Sequence, residues 1–150
     1  MRVVIQRAKE ASVSIEGKIK STINQGLMIL VGFEHEDTEE EIAWMTKKVA
    51  NLRIFNDCDG VMNLSVKDIE GEILLISQFT LHAQTQKGNR PSYIKAARPD
   101  KAIPLYELFI QSLEVALDKK IGTGSFGADM QVSLINDGPV TIIIDSKNKE

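Results

Sequence analysis

The chain has 150 residues, a net charge of −3, 43% hydrophobic residues and 26% charged residues. Those values describe one soluble domain able to bury a core, and the acidic balance excludes a protein that coats nucleic acid indiscriminately. No apolar run nears the ~20 residues that span a bilayer, and Met1-Arg2-Val3-Val4-Ile5-Gln6-Arg7 meets charge too early for a signal peptide.

Val3 and Ile5, then Val13 and Ile15, recur at strand spacing and predict two half-buried strands. Gly17-Lys18 is a hairpin turn into Ile19–Ile23. Gln25-Gly26 breaks the chain before Leu27-Met28-Ile29-Leu30-Val31, a buried strand, so the first third reads as a β-meander. Thr38-Glu39-Glu40-Glu41 is a capping box, with acids suited to the positive end of a helix. Ile42, Met45, Val49 and Leu52 supply that helix's apolar face. Trp44 packs at its edge, with stacking on RNA as the alternative. Arg53-Ile54-Phe55 is a short strand, followed by a turn at Asn56-Asp57-Cys58-Asp59-Gly60. This turn lacks the spaced ligands of a calcium loop. Cys58 is the only cysteine, which rules out an intramolecular disulfide and fits a reducing, cytoplasmic setting.

Ile69-Glu70-Gly71 turns into the strand Glu72–Ile76, which ends in Ser77-Gln78-Phe79-Thr80. Gln84 to Pro99, with Gly88, Pro91 and Pro99, is a long surface loop of the kind that carries function. From Gln84 to Lys101 five cations (Lys87, Arg90, Lys95, Arg98 and Lys101) face one acid, Asp100, a local charge of +4 on a body of −7. Such a patch suits a phosphate backbone, although charge alone favours a solvated loop with no partner. Asp100 caps a second helix with Pro104 near its first turn, Leu105, Leu108, Phe109 and Leu113 on its apolar face, and Gly122 as its stop. The glycine-rich Gly122–Gly127 lacks the Gly-Lys-Ser/Thr ending of a P-loop and follows a helix, so it does not bind nucleotide that way. Val132 and Leu134 form another strand, and Val140–Ile144 the last, with Asn136-Asp137-Gly138-Pro139 between them. Two helices and about seven to nine strands make an α+β domain covering 1–150.

Conventional catalytic machinery is missing from this pattern. His35, His82 and Cys58 lack the paired spacing of a zinc site. Thr80 and His82 would share a face of one strand, which allows a hydroxyl–imidazole dyad. A surface histidine at the strand end explains the same spacing.

Five segments together resemble the D-aminoacyl-tRNA deacylase (D-tyrosyl-tRNA deacylase) family. They are SQFTL at Ser77–Leu81, NDGPVT at Asn136–Thr141, the opening MRVVIQRAKEASV, GNRPS at Gly88–Ser92 and GTGSFGADM at Gly122–Met130. The resemblance runs over essentially the whole chain. It implies a hydrolase that cleaves the ester joining a D-amino acid to the 3′ end of tRNA, a proofreading step in translation. It implies a homodimer of two β-layers with helices on one side and no metal or organic cofactor. It further implies that Gly138-Pro139 is cis and reaches into the partner's site. A branch that edits L-alanine on a threonine tRNA alters the first motif, so the intact SQFT favours the D-specific branch.

On that resemblance Ser77, Gln78, Phe79 and Thr80 are the catalytic group, and Gly138, Pro139, Phe126, Met130 and Asn136 bind substrate. Lys87, Arg90, Lys95 and Arg98 hold the acceptor arm. A backbone wall at Gly138-Pro139 would block an L side chain while glycine slips past. Amides around Gln78 and Phe79 would stabilise an oxyanion, with Phe79 packed beneath the site. Phe126 is either a stacking surface for the terminal adenine or a core aromatic. Thr80 is either a nucleophile or a positioning hydroxyl beside a water assisted by the ribose 2′-OH, and the absence of a secure base favours the second. A nucleic-acid-binding module without catalysis is the rival reading.

Overall fold

Alternation carries the first strand straight through the charged stretch at Arg7–Glu10. In the computed structural model, which describes residues 1–149, β1 spans Arg2–Ile15 as one strand rather than two. Arg7 turns inward and is buried, while Lys9 and Glu10 face solvent. Positive φ at Glu16 (51°) and Gly17 (74°) gives the hairpin geometry that matches strand twist, and leads into β2, Lys18–Ile23. β3, Gly26–Gly32, pairs with β1 and not with β2. The expected meander is therefore a β2-β1-β3 order, possible because β1 is long enough to serve β3 from Arg2 to Ala8 and β2 from Ala11 to Ile15.

The capping box forms as its sequence dictates. Thr38 donates from its amide and hydroxyl to Glu41 and accepts from the Glu40 amide, starting α1, Glu39–Asn51. Ile42, Met45 and Val49 are buried on its inner face. A small hairpin of β4, Phe55–Asn56, and β5, Met62–Leu64, follows, its turn tied by Asp57 accepting the Asp59 and Val61 amides. β6, Glu72–Ser77, lies parallel to β3. α2, Pro99–Leu117, starts from Pro99, whose fixed φ suits a first helical position. Asp100 is in the first turn but is not the cap, which is Arg98. The helix stops at Asp118 in the left-handed region (φ 53°), not at Gly122. Gly122 instead opens β7, Gly122–Thr123, parallel to β6.

β8 spans Gln131–Asp145, so the two strands expected around Gly138-Pro139 are one. It runs antiparallel to β1, with Gln6 opposite Thr141 and Ala8 opposite Asn136. Asp137, Gly138, Pro139 and Val140 therefore bulge out opposite Arg7 alone. Ser21 and Lys20 of β2 bond to Thr123 of β7 and to Gly124 just after it, which nearly closes the mixed sheet into a barrel. One core cluster, including Ile5, Ile29, Leu75, Met45 and Phe109, joins the sheet to both helices, and Val13, Met28, Leu74 and Ile76 form a second. The result is a single α+β domain with the two helices on one side of a barrel-like sheet and a small second sheet.

One polar cluster is sealed inside this frame. The Met1 ammonium lies 2.6 Å from Asp37 Oδ1, both groups 0% exposed, and 2.7 Å from Ser146 Oγ. The second Asp37 oxygen accepts the Glu34 amide at 2.7 Å. Among the described residues no helix is long and apolar enough to cross a membrane.

Candidate active site

Parallel pairing brings the ends of β3 and β6 together, with Val31 opposite Ser77. The Gln78 amide extends the ladder by donating to Val31 O at 2.7 Å. The chain then winds into a 3₁₀ turn, Phe79–His82, closed by Leu81 N to Gln78 O and Ala83 N to Thr80 O. The start of any such turn leaves amides without intrahelical acceptors. Here these are the amides of Phe79 and Thr80, and neither has a backbone acceptor among the described residues. The donor expected at Gln78 is thus committed to the sheet, and the available pair lies one residue further on.

The close packing of strand and turn explains Gly32. A β-carbon there would stand 2.8 Å from Gln78 O and 3.0 Å from His82 Cδ2. A cavity of about 280 Å³ opens beside the turn, lined by Gly32, Ser77, Gln78, Phe79, Phe126 and Met130 among others. The Gln78 carboxamide donates to Thr80 Oγ1. Phe126 is half-buried and packs against the core, its ring 6.1 Å from that of Tyr106. Burial pushes the Tyr106 hydroxyl up to about 12, so it stays a donor, and it reaches Leu75 O at 2.8 Å.

Two expectations fail at this turn. Phe79 does not pack beneath the site; opening a 3₁₀ turn instead of continuing the strand, it is 56% exposed at the cavity rim. His82 is not at the surface: it is 4% exposed, with Nδ1 3.6 Å from Glu34 Oε1 and Nε2 unpartnered among the described residues. Thr80 and His82 share a turn and not a strand face, so the geometry required for a dyad is absent.

Lys87, Arg90, Lys95 and Arg98 are all exposed on the segment between the turn and α2. Among the described residues none of them enters an ion pair. Asn136, Gly138 and Pro139 do not line the cavity of their own chain. Gly138 and Pro139 are exposed and joined by a cis peptide bond. Asn136 accepts the Val140 amide at 2.9 Å and donates to Thr141 Oγ1, closing the bulge.

Arg7, not singled out in the sequence, holds the bulge from behind. Its Nε donates to Asp137 O at 2.9 Å and its Nη1 to Ile54 O at 2.7 Å. A β-carbon on Gly138 would lie 2.7 Å from Arg7 Nη2. The inward phase of Val3, Ile5 and Arg7 was the available signal for a buried arginine.

Comparison with known proteins bears directly on this arrangement. The family model described as D-Tyr-tRNA(Tyr) deacylase matches residues 4–145. The chain belongs to this family. Full-length relatives of this deacylase family include the D-aminoacyl-tRNA deacylases of Flavobacterium psychrophilum, 65% identical, and Bacteroides thetaiotaomicron, 63% identical, each covering 100% of both chains. Among solved structures, the c-Myc DNA Unwinding Element Binding Protein superposes with a TM-score of 0.91 at 40% identity, over 97% of this chain and 98% of that one. A probable eukaryotic D-amino acid tRNA deacylase gives 0.84 at 17% identity, over 95% and 97%, a likeness of fold. The match to the deacylase family spans both the Ser77–Thr80 turn and the Gly138-Pro139 bulge.

Proposed function

We propose that this chain hydrolyses the ester between a D-amino acid and the terminal ribose of tRNA by gripping the groups common to all amino acids. Deacylation of D-aminoacyl-tRNA, an ester hydrolysis, follows from membership of the deacylase family and from its full-length relatives. The observation that carries the finer reading is that the amides of Phe79 and Thr80 have no backbone acceptor among the described residues, in a turn whose first residue, Phe79, lines the cavity. Those amides receive the oxyanion as water attacks the ester carbonyl; one such donor contributes about 3 kcal/mol to lowering the barrier. Ser77 and Gln78 orient the ester and ribose. Thr80, held by Gln78 and without a base, positions, while the ribose 2′-OH assists the attacking water.

Handedness is judged by backbone. The Gly138-Pro139 bulge stands exposed, outside its own chain's cavity and braced by Arg7. In a homodimer it forms the wall of the second copy's site, where carbonyls meet the α-ammonium and an L side chain clashes. Met130 and Phe126 form the opposite wall, Asn136 fixes the bulge, and glycyl-tRNA, having no side chain, is also cleaved.

The deciding assay presents D-tyrosyl-tRNA and L-tyrosyl-tRNA and follows release of tyrosine. Release from the D form alone is expected. Binding without release would instead favour the noncatalytic RNA-binding module, and equal release would remove the wall.

Gly32→Ala is expected to press the Gln78 carbonyl away from β3 and displace the amides beside it. A shift near 1 Å lowers turnover about 100-fold, measurable in single-turnover kinetics, while KM changes little. The double substitution Lys87→Ala/Arg90→Ala is expected to weaken binding similarly for unrelated tRNAs, because phosphate contacts carry no sequence information. The slope of log affinity against log salt should fall by about 2; unchanged binding would reduce the patch to a solvated face.

A further inference from the structure

The charged pair where β1 begins and β8 ends reaches further than the ladder requires. Arg2 and Asp145 stand opposite each other in the β1–β8 register, and an opposite-charge pair across two strands is ordinary. That pair occupies one edge of the guanidinium, where Nε and Nη2 donate to Asp145 Oδ2 at 3.0 and 2.8 Å. The remaining nitrogen, Nη1, leaves the ladder and donates to Leu81 O at 2.7 Å. Leu81 lies in the Phe79–His82 turn, and the last carbonyls of such a turn have no donor within it. Among the described residues, Arg2 is the one side chain from outside 78–83 that hydrogen-bonds to this segment. The other approach, His82 Nδ1 to Glu34 Oε1, is 3.6 Å and too long for a hydrogen bond.

The anchor behind Arg2 is itself fixed. Asp145 Oδ1 accepts the Lys147 amide at 2.9 Å, leaving Oδ2 to Arg2. Stability does not account for the arrangement, because the Arg2 side chain is 39% exposed and that of Asp145 16%, and exposed pairs contribute little to folding. Three donors of one planar group are set between a fixed carboxylate and a single carbonyl of the turn, a geometry that lysine does not reproduce.

We infer that Arg2 is a positioning residue for the reaction: backed by Asp145, it holds the Leu81 carbonyl and thereby sets where the neighbouring Phe79 and Thr80 amides point. Arg2 does not line the cavity and acts through the turn. This inference rests on the deacylase reading and adds to it a residue on the far side of the turn.

Two measurements test it. In the first, hydrolysis of D-tyrosyl-tRNA is followed in single turnover. Arg2→Gln should lower the rate about tenfold and change KM by less than about twofold, with urea unfolding close to wild type. Arg2→Lys should fall as far, because one ammonium does not serve both acceptors. Asp145→Asn should lose part of the rate, and the double substitution Arg2→Gln/Asp145→Asn should be no slower than Arg2→Gln alone, since both act through one contact. A wild-type rate in Arg2→Lys, or losses that multiply in the double variant, would overturn the inference.

The second measurement needs no substrate. The Leu81 and Ala83 amides close the turn. Their hydrogen exchange should quicken at least about tenfold in Arg2→Gln, the effect of losing one hydrogen bond from a charged donor, while Leu74 and Leu75 in β6 stay protected. Faster exchange with an unchanged hydrolysis rate would make Arg2 a structural tie and sink the inference. Faster exchange in a chain whose wild type hydrolyses neither D- nor L-tyrosyl-tRNA would sink the deacylase reading and leave the hold of Arg2 on the turn standing.

Discussion

A D-aminoacyl-tRNA ending in 2′-deoxyadenosine is expected to be hydrolysed at least ~100-fold more slowly than the normal substrate, whereas Thr80→Ala keeps its rate within about tenfold. Assistance by a positioned acid or base contributes ~10²–10⁴-fold, and the cavity offers no protein group for that part. His82 is buried, does not line the cavity, and has its Nδ1 3.6 Å from Glu34 Oε1. Thr80 has Gln78 as its side-chain partner, a donor unable to take its proton. The ribose hydroxyl beside the ester is the remaining candidate. Single-turnover rates with the two substrates and the two proteins settle the assignment. Complete loss in Thr80→Ala, with an acyl-enzyme trapped on the wild-type chain, would make Thr80 the nucleophile and remove the role given to the RNA.

Asp37→Ala is expected to lower stability by about 3–5 kcal/mol, the usual effect of stranding one member of a buried ion pair. The Met1 ammonium would keep only the Ser146 hydroxyl, and the Glu34 amide would lose its acceptor. Both charges are fully buried, so neither is relieved by water. Urea unfolding of the two proteins measures the difference, and a loss under 1 kcal/mol would mean that the cluster relaxes open. The consequence reaches the candidate site, because Glu34 faces His82 in the Phe79–His82 turn and forms a bridge with Ala96 in the basic loop. Residual activity should therefore fall before global unfolding.

Features decided by neighbours in sequence were legible there. The Thr38–Glu41 box, the apolar face of α1 and the end of β6 at Ser77 all depend on residues within a turn or two of one another. What escaped depends on distant partners. Arg7–Glu10 and Asn136–Val140 each look like a break in a strand, yet they lie opposite one another, and the bulge in β8 absorbs both. Phe79 faces out and His82 is buried because Gly32 lets the turn settle onto β3, a contact more than forty positions away in the chain. Asp118 ends α2 four residues before the expected glycine because a helix accepts a left-handed residue wherever its last carbonyls find donors. The motifs marked the cavity; which amides were free to act in it was set by the sheet register.

The pairing of β1 with β8 also has a consequence for the nascent chain. Arg2 finds its partner Asp145 only after nearly every other residue has been made. At ~5–20 residues per second, ribosomal synthesis leaves that edge of β1 open for roughly ten seconds. An open edge is a template for misassembly, and charged side chains are the usual guard. Arg2, Arg7 and Lys9 on β1 supply that guard, so the same arginine that later braces the Gly138-Pro139 bulge first keeps the unfinished sheet from pairing with the wrong strand.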